Sequence, residues 1–141
     1  MSTDNESDAE QITIILHSGS YDRATNALSL AIIGLTMGME VNMLLTYEGL
    51  KRFVRGHLED AGGADTELQA MMQRGIDSGI LHCIGDKLAL AHELGLRLYA
   101  CTTAMVTMGI AREELVDEVD EVMGLATFIQ FARKAAINWY I

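Results

Sequence analysis

The chain has 141 residues, half of them hydrophobic and 21% charged, which suits one apolar core and excludes a disordered chain of low hydrophobicity. Ten Lys and Arg against twenty Asp and Glu give a formal charge of -10, a field that repels phosphate backbones and anionic lipid headgroups, so no nucleic acid and no membrane surface is expected as a partner. The longest run without a charged side chain, residues 24–39, falls short of the roughly 20 apolar residues a spanning helix needs. Residues 1–10 carry four acids and no apolar run. They read as a disordered tail without the basic and apolar regions of a secretory signal, so a cytoplasmic location is expected, with residues 11–141 as a single α/β domain.

Ile12 to Leu16 is a β-branched apolar run that stops at His17-Ser18-Gly19-Ser20, the pattern of a strand buried on both faces. From Tyr21 to Met37, the residues Ala24, Ala27, Leu28, Ala31, Ile32 and Leu35 recur at three- and four-residue steps, which predicts a helix capped by Ser20 or Asp22. Gly38 ends it, and Met39 to Thr46 predicts a second buried strand, completing a β-α-β unit. Tyr47-Glu48-Gly49 reads as a turn into a short helix from Leu50 to Val54, with Lys51, Arg52 and Arg55 as solvated cations. Residues 56–66 concentrate Gly and Asp and predict a surface loop. Thr66 or Asp65 then opens a helix through Leu68, Met71, Met72, Ile76 and Ile80, and a further helix runs from Asp86 to Leu94.

Leu96 to Ala100 predicts a short strand delivered straight to Cys101. Thr102 or Thr103 caps a helix reaching Gly109, and Ala111 to Val116 adds a turn or two, with the acids between Glu113 and Glu121 on a solvated helix face. A short strand around Val119 to Val122, an amphipathic helix from Gly124 to Ala136 and an edge strand from Ile137 to Ile141 complete the chain. Alternating buried strands and helices predict an α/β sandwich with a mostly parallel sheet of about five strands.

In an open parallel sheet, ligands bind beyond the carboxyl ends of the strands. Three segments arrive there: His17 to Tyr21, Tyr47-Glu48-Gly49, and Cys101-Thr102-Thr103. Cys101 stands where a strand ends and a helix begins, facing the positive end of a helix dipole and backbone N–H donors, the setting in which a thiol turns nucleophilic. The alternative is one more small buried apolar residue, as most free cysteines are. His17 is placed either to orient or deprotonate the thiol or its substrate, or to serve as hydrogen-bonded scaffold. Cys83, between two helical pieces, reads as structural. Ser18-Gly19-Ser20 resembles an anion-binding loop at a helix N-terminus but lacks the G-x-G-x-x-G fingerprint and a P-loop Lys. A small sulfur oxyanion suits it better than a nucleotide, and an ordinary strand-to-helix turn is the other reading. With Tyr47, Glu48, Thr102 and Thr103 it forms the candidate substrate-binding set. The four His share no metal-type spacing with the two Cys, so no metal and no cofactor is expected. Met37, Met39, Met43, Met105 and Met108 read as fillers of core gaps or subunit contacts.

From Leu98 to Ile110 (LYACTTAMVTMGI) the chain resembles the DsrE/DsrF-like family of sulfur-relay proteins, in which a strand ends in Ala-Cys and a Met-x-x-Met-Gly-Ile segment follows. Gly38-Met39-Glu40-Val41, Thr46-Tyr47-Glu48-Gly49-Leu50 and Gly124-Leu125-Ala126-Thr127-Phe128 are further matches, and the similarity spans about residues 11–141. The resemblance implies a Rossmann-like three-layer α/β/α domain that forms a homo-oligomer, a trimer or hexamer. It also implies that Cys101 carries sulfur as a persulfide or thiosulfonate, taken from a donor such as thiosulfate, tetrathionate or a persulfide and passed to an acceptor sulfur-relay protein. Cys83 matches no second functional cysteine. The readings leave three functions open: a sulfur carrier or sulfurtransferase, a non-catalytic oligomeric docking subunit of a sulfur-relay complex, and a sensor of a small anion or nucleotide.

Overall fold

The computed structural model describes residues 9–61 and 66–141. Most of the expected acidic tail, part of the expected loop at residues 56–66, and Asp65 as a helix start lie outside the described residues.

The first strand, β1, is Gln11–Leu16, and its alternation sends Ile12, Ile14 and Leu16 to one face and Thr13 and Ile15 to the other. Tyr21–Thr36 forms α1, which buries Ala24, Ala27, Leu28 and Ala31. These small residues let the helix lie close to the sheet: a Cβ on Gly34 would stand 2.6 Å from Ile12 Cδ1 and 3.3 Å from Val41 Cγ2. Gly38, at φ 84°, turns the chain out of the helix. Glu40–Leu45 is β2, Tyr47–Arg52 is α2, Thr66–Asp77 is α3 and Ile84–Glu93 is α4. Arg97–Cys101 is β3 and Thr102–Met108 is α5, followed by a 3-10 turn at Arg112–Glu114. Glu121–Met123 is β4, Leu125–Lys134 is α6 and Ile137–Tyr140 is β5.

The strands form one sheet in the order β4-β3-β2-β1-β5, and every pair is parallel. Parallel neighbours need crossovers over the faces, and here α1 and α4 pack together over the face that carries Ile12 and Val41. On the opposite face Tyr99 stacks on Phe131 of α6 at 5.8 Å and meets Phe128 edge-on at 6.4 Å. The result is an α/β sheet covered on both sides. β1 lies inside it, with β2 on one flank and β5 on the other, so the direction of winding reverses at β1.

Several elements differ from the sequence pattern. Strand β2 stops at Leu45, and Tyr47-Glu48-Gly49 is the first turn of α2, which ends at Arg52 and not at Val54. The cause is local: Tyr47 takes φ 46° and the Gly49 amide donates to both His17 O (2.9 Å) and Thr46 O (3.0 Å). The segment after Gly109 gives only a 3-10 turn, because Val116 N donates to Phe53 O and Leu115 bridges to Val54, holding the chain extended. The acids there are not one helix face; the Asp120 carboxylate accepts the Leu98 amide at 2.8 Å, and Glu121 opens β4, two residues later than expected. Helix α4 starts two residues before Asp86, and α3 ends at Asp77, leaving Ile80 86% exposed. Met43 and Met105 do fill the core, whereas Met37 is exposed. No helix among the described residues is long and apolar enough to cross a membrane.

The carboxyl ends of β1 and β2 are joined by backbone approaching backbone. A Cβ on Gly49 would stand 2.2 Å from Leu16 O, and one on Gly19 would stand 2.6 Å from Glu48 O. Gly49→Ala is therefore expected to lower stability by about 3 kcal/mol, read from the urea midpoint. Gly124→Ser, at an open helix N-cap, should stay within about 0.5 kcal/mol of the wild type.

Candidate functional site

The register pairs Leu16 with Leu45 and Leu45 with Ala100. The next residue of each strand, His17, Thr46 and Cys101, therefore forms a row at the carboxyl edge of the sheet. Two interstrand steps separate His17 from Cys101, about 10 Å of backbone. By alternation this row faces the α6 side, as Tyr99 does.

The structure gathers His17, Ser18, Gly19, Ser20 and Glu48 around one crevice of about 1200 Å³. It opens at the end of β1, where the winding reverses, which is the ligand position of doubly wound sheets. Ser18 Oγ and Ser20 Oγ lie 3.1 Å apart, and Ser20 N donates to Ser18 Oγ at 3.2 Å. The Ser20 hydroxyl thus makes no capping bond to α1. His17 is exposed, its Nδ1 is 3.0 Å from Tyr140 Oη, and its ring meets the rings of Tyr47 and Tyr140 edge-on at 5.8 Å each.

Cys101, Thr102 and Thr103 do not line that crevice. Cys101 is the N-cap residue of α5 and ends β3, paired with Met123, and it is only 1% exposed. Thr102 and Thr103 lie exposed in the first turn of α5. The structure therefore splits the expected set into an open crevice at β1 and a covered sulfur at β3.

Arg52, read from the sequence as a solvated cation, is buried. Its Nε donates to Gly19 O at 2.7 Å and its Nη1 to Leu58 O at 2.9 Å, while the guanidinium lies 5.4 Å from the centre of the Tyr21 ring. Burial pushes its pKa down, with the charges of Asp60, Tyr21 and Glu59 acting the other way. The available signal was spacing: Arg52 comes three residues after Gly49 and so shares the helix face turned toward β1. Tyr140 was also missed, and an edge strand with period-two alternation places it beside His17.

Cys83 is the N-cap of α4, half-buried, beside a pocket of about 200 Å³ shared with Tyr21, Met72 and Ile76. The Glu59 carboxylate occupies the start of that helix, accepting the Gly85 amide at 2.7 Å, the Ile84 amide at 3.2 Å and the Tyr21 hydroxyl at 2.7 Å. Burial, the bond to Glu59 and its charge hold the Tyr21 phenol well above its ordinary range. A backbone bond at Asp86 favours the Cys83 thiolate, but burial and the carboxylates of Asp86 and Glu59 outweigh it and push the thiol up. No group of three or more His, Cys, Asp or Glu among the described residues is arranged to hold a metal ion.

The profile of the DsrE/DsrF/DrsH-like family matches residues 62–140, more than half of the chain and the part that contains Cys101. The chain belongs to that family, and membership supports a role related to sulfur relay. It is 27% identical to the uncharacterized protein YrkE of Bacillus subtilis (strain 168) over 156 residues, covering 94% of this chain and 97% of YrkE. The crystal structure of the ychN protein from E. coli matches with a TM-score of 0.68 at 18% identity, covering 94% of this chain and 99% of that one. A protein of unknown function from Bacteroides thetaiotaomicron matches with a TM-score of 0.63 at 12% identity, over 94% of this chain and 95% of that one. At these identities the two structures show a shared fold.

Because the Cys83 thiol is pushed up, its thiolate is scarce at neutral pH. In a Cys101→Ser protein, the rate of alkylation by iodoacetamide should climb with a midpoint above the free-thiol value of about 8.5, and Asp86→Asn should move that midpoint down.

Proposed function

We propose that this protein is a sulfur carrier in which Cys101 holds sulfane sulfur and hands it to the thiol of a partner. The observation that carries the reading is the position of Cys101: within the family-matched segment, it is the junction of β3 and α5 at the carboxyl edge of the sheet. The thiolate attacks the sulfane sulfur of a donor such as thiosulfate; the sulfur–sulfur bond of the donor breaks, sulfite leaves with the electron pair, and Cys101 becomes a persulfide. An acceptor thiolate then attacks the outer sulfur and regenerates the Cys101 thiolate, so no external oxidant or reductant enters. In this reading the amides of Thr102 and Thr103, in the first turn of α5, stabilise the anionic sulfur.

Burial shapes the mechanism. With 1% exposure, the sulfur meets a donor only after local opening around the junction of β3 and α5, a helix of seven residues that ends in a left-handed Gly109. Local opening of so short an element is inexpensive compared with global unfolding. A closed carrier also keeps water and stray thiols from a loaded persulfide. The protein acts as a trimer or hexamer in the cytoplasm and delivers to a sulfur-relay acceptor.

The experiment is incubation of the native protein with thiosulfate, tetrathionate or a persulfide donor, followed by intact mass measurement. A gain of sulfur is expected in the wild type and in Cys83→Ser, and none in Cys101→Ser. No adduct on the wild type, or one that persists in Cys101→Ser, overturns the reading.

A docking subunit without turnover is the second reading, favoured by the exposed apolar side chains of Val106, Leu125 and Ile129. In that case the wild type itself takes up no sulfur, and Cys101→Ser retains its purified sulfurtransferase partner in a pull-down as the wild type does.

A further inference from the structure

The two edges of the sheet are finished differently. An edge strand carries unpaired N–H and C=O groups, and proteins blunt it with shortness, charge or a bulge. Strand β4 is blunted: it has three residues and opens on the exposed Glu121, next to Asp120. Strand β5 is not. Among the described residues it pairs only with β1, and the run from Ile137 to Ile141 has no charged side chain. Its backbone direction is fixed at one end: Ile141 N donates to Ile15 O at 2.9 Å and Ile141 O accepts from His17 N at 2.7 Å, so Ile141 faces β1. By alternation Ile137 and Trp139 also turn their backbone groups to β1, and Asn138 and Tyr140 turn theirs outward.

The side chains divide in the same way. Ile137 and Trp139 are the register partners of Ile12 and Ile14, so they point to the face covered by α1 and are half-buried, while Asn138 and Tyr140 are exposed on the other face. Between α1 and β5 lies a groove of about 450 Å³, with Leu30, Trp139 and Ile141 as its apolar wall and Asn26 on its helix side. Charge restricts what can cover it. Each copy of this chain carries a formal charge of -10, so two copies repel unless they meet where the local charge balances. The groove is such a place, with one acid, Asp22, and one base, Arg23.

We infer that β5 pairs, antiparallel, with β5 of a second copy of this chain about a two-fold axis at Trp139, joining the two sheets into one. Asn138 and Tyr140 stand one residue to either side of Trp139. The rotation therefore sets Asn138 of each copy opposite Tyr140 of the other, and every outward N–H and C=O of both residues meets its complement. The two Trp139 residues become a non-hydrogen-bonded pair on the α1 face, about 4.5 Å apart at Cα, and close the apolar walls of both grooves. An unrelated strand could bond to the same backbone, but the central tryptophan and the balanced charge are matched by the chain itself. Such a contact is isologous and closes after two subunits. It rests on the self-association proposed above and selects the hexamer, because a trimer has no two-fold axis; it does not involve Cys101.

The test is sedimentation of the full chain over a range of concentrations, together with hydrogen exchange resolved by residue. The wild type is expected as an even-numbered assembly. Asn26→Glu puts a like charge on the exposed helix side of each groove and should halve the mass at the same concentration. Asn138→Pro removes an outward donor and should do the same where it folds. In the wild type the Asn138 and Tyr140 amides should exchange at least about tenfold more slowly than in Asn26→Glu, while the Trp139 amide, turned to β1, exchanges alike in both. Trp139 is the chain's single tryptophan, so its emission should move to the red in the variant. Cys101→Ser should assemble as the wild type does, which separates this contact from sulfur uptake. A wild type that is monomeric at every concentration overturns both the contact and the self-association. An assembly in which Asn138 and Tyr140 exchange as fast as in Asn26→Glu overturns the contact alone.

Discussion

The turn that follows β1 and the turn that follows β2 touch backbone to backbone, Gly49 against Leu16 and Gly19 against Glu48. Everything at the carboxyl edge of the sheet is placed by that contact. It directs the Gly49 amide to His17 O and sets the left-handed start of α2 at Tyr47. It also brings Arg52, one turn further along the same helix, under the Gly19 carbonyl. Two side-chain-free positions in register across two loops thus fix the floor of the crevice. Any Cβ there would part the loops and withdraw the guanidinium from the carbonyls that hold it.

Because the sheet reverses its winding at β1, its carboxyl edge offers two different environments. On one side of β2 the edge is open, with polar turns, serine hydroxyls and a half-solvated histidine between two tyrosine rings. On the other side, at β3, the chain passes directly from strand into helix and Cys101 is buried. The same edge geometry gives an exposed pocket where residues 17–20 connect strand to helix, and a covered junction where there is no loop.

The strands with β-branched or leucine-rich runs, β1, β2 and β3, were readable because burial on both faces of a parallel sheet leaves a continuous apolar signature. Helix α1 was readable from its alanine and leucine spacing, and α6 from Phe128 and its neighbours. What composition could not show was decided by contacts distant in sequence. Tyr47 to Gly49 looked like a turn because glycine usually marks one; here the glycine is required by a neighbouring strand. Ala111 to Val116 has helical spacing, but a bridge to Val54 holds it extended. Arg52 carries a charge, and only the fold shows that the charge is buried. The candidate residues around His17 and Ser20 were found because strand ends gather there by rule. The covering of Cys101 and the place of Tyr140 beside His17 depend on packing that no local window contains.

Strand β5 supplies Tyr140 to the crevice and pairs with β1, whose Thr13 is further tied to it by a hydroxyl bond to Asn138, 125 residues away in sequence. Contacts of such separation are slow to form, because a long segment must lose its freedom before they repay the loss. During folding, β1 to β4 can therefore assemble as a sheet whose β1 edge is still bare, a surface that attracts other strands. Slow arrival of the last strand makes that edge the point where this protein is most exposed to exchange of segments between copies and to misassembly.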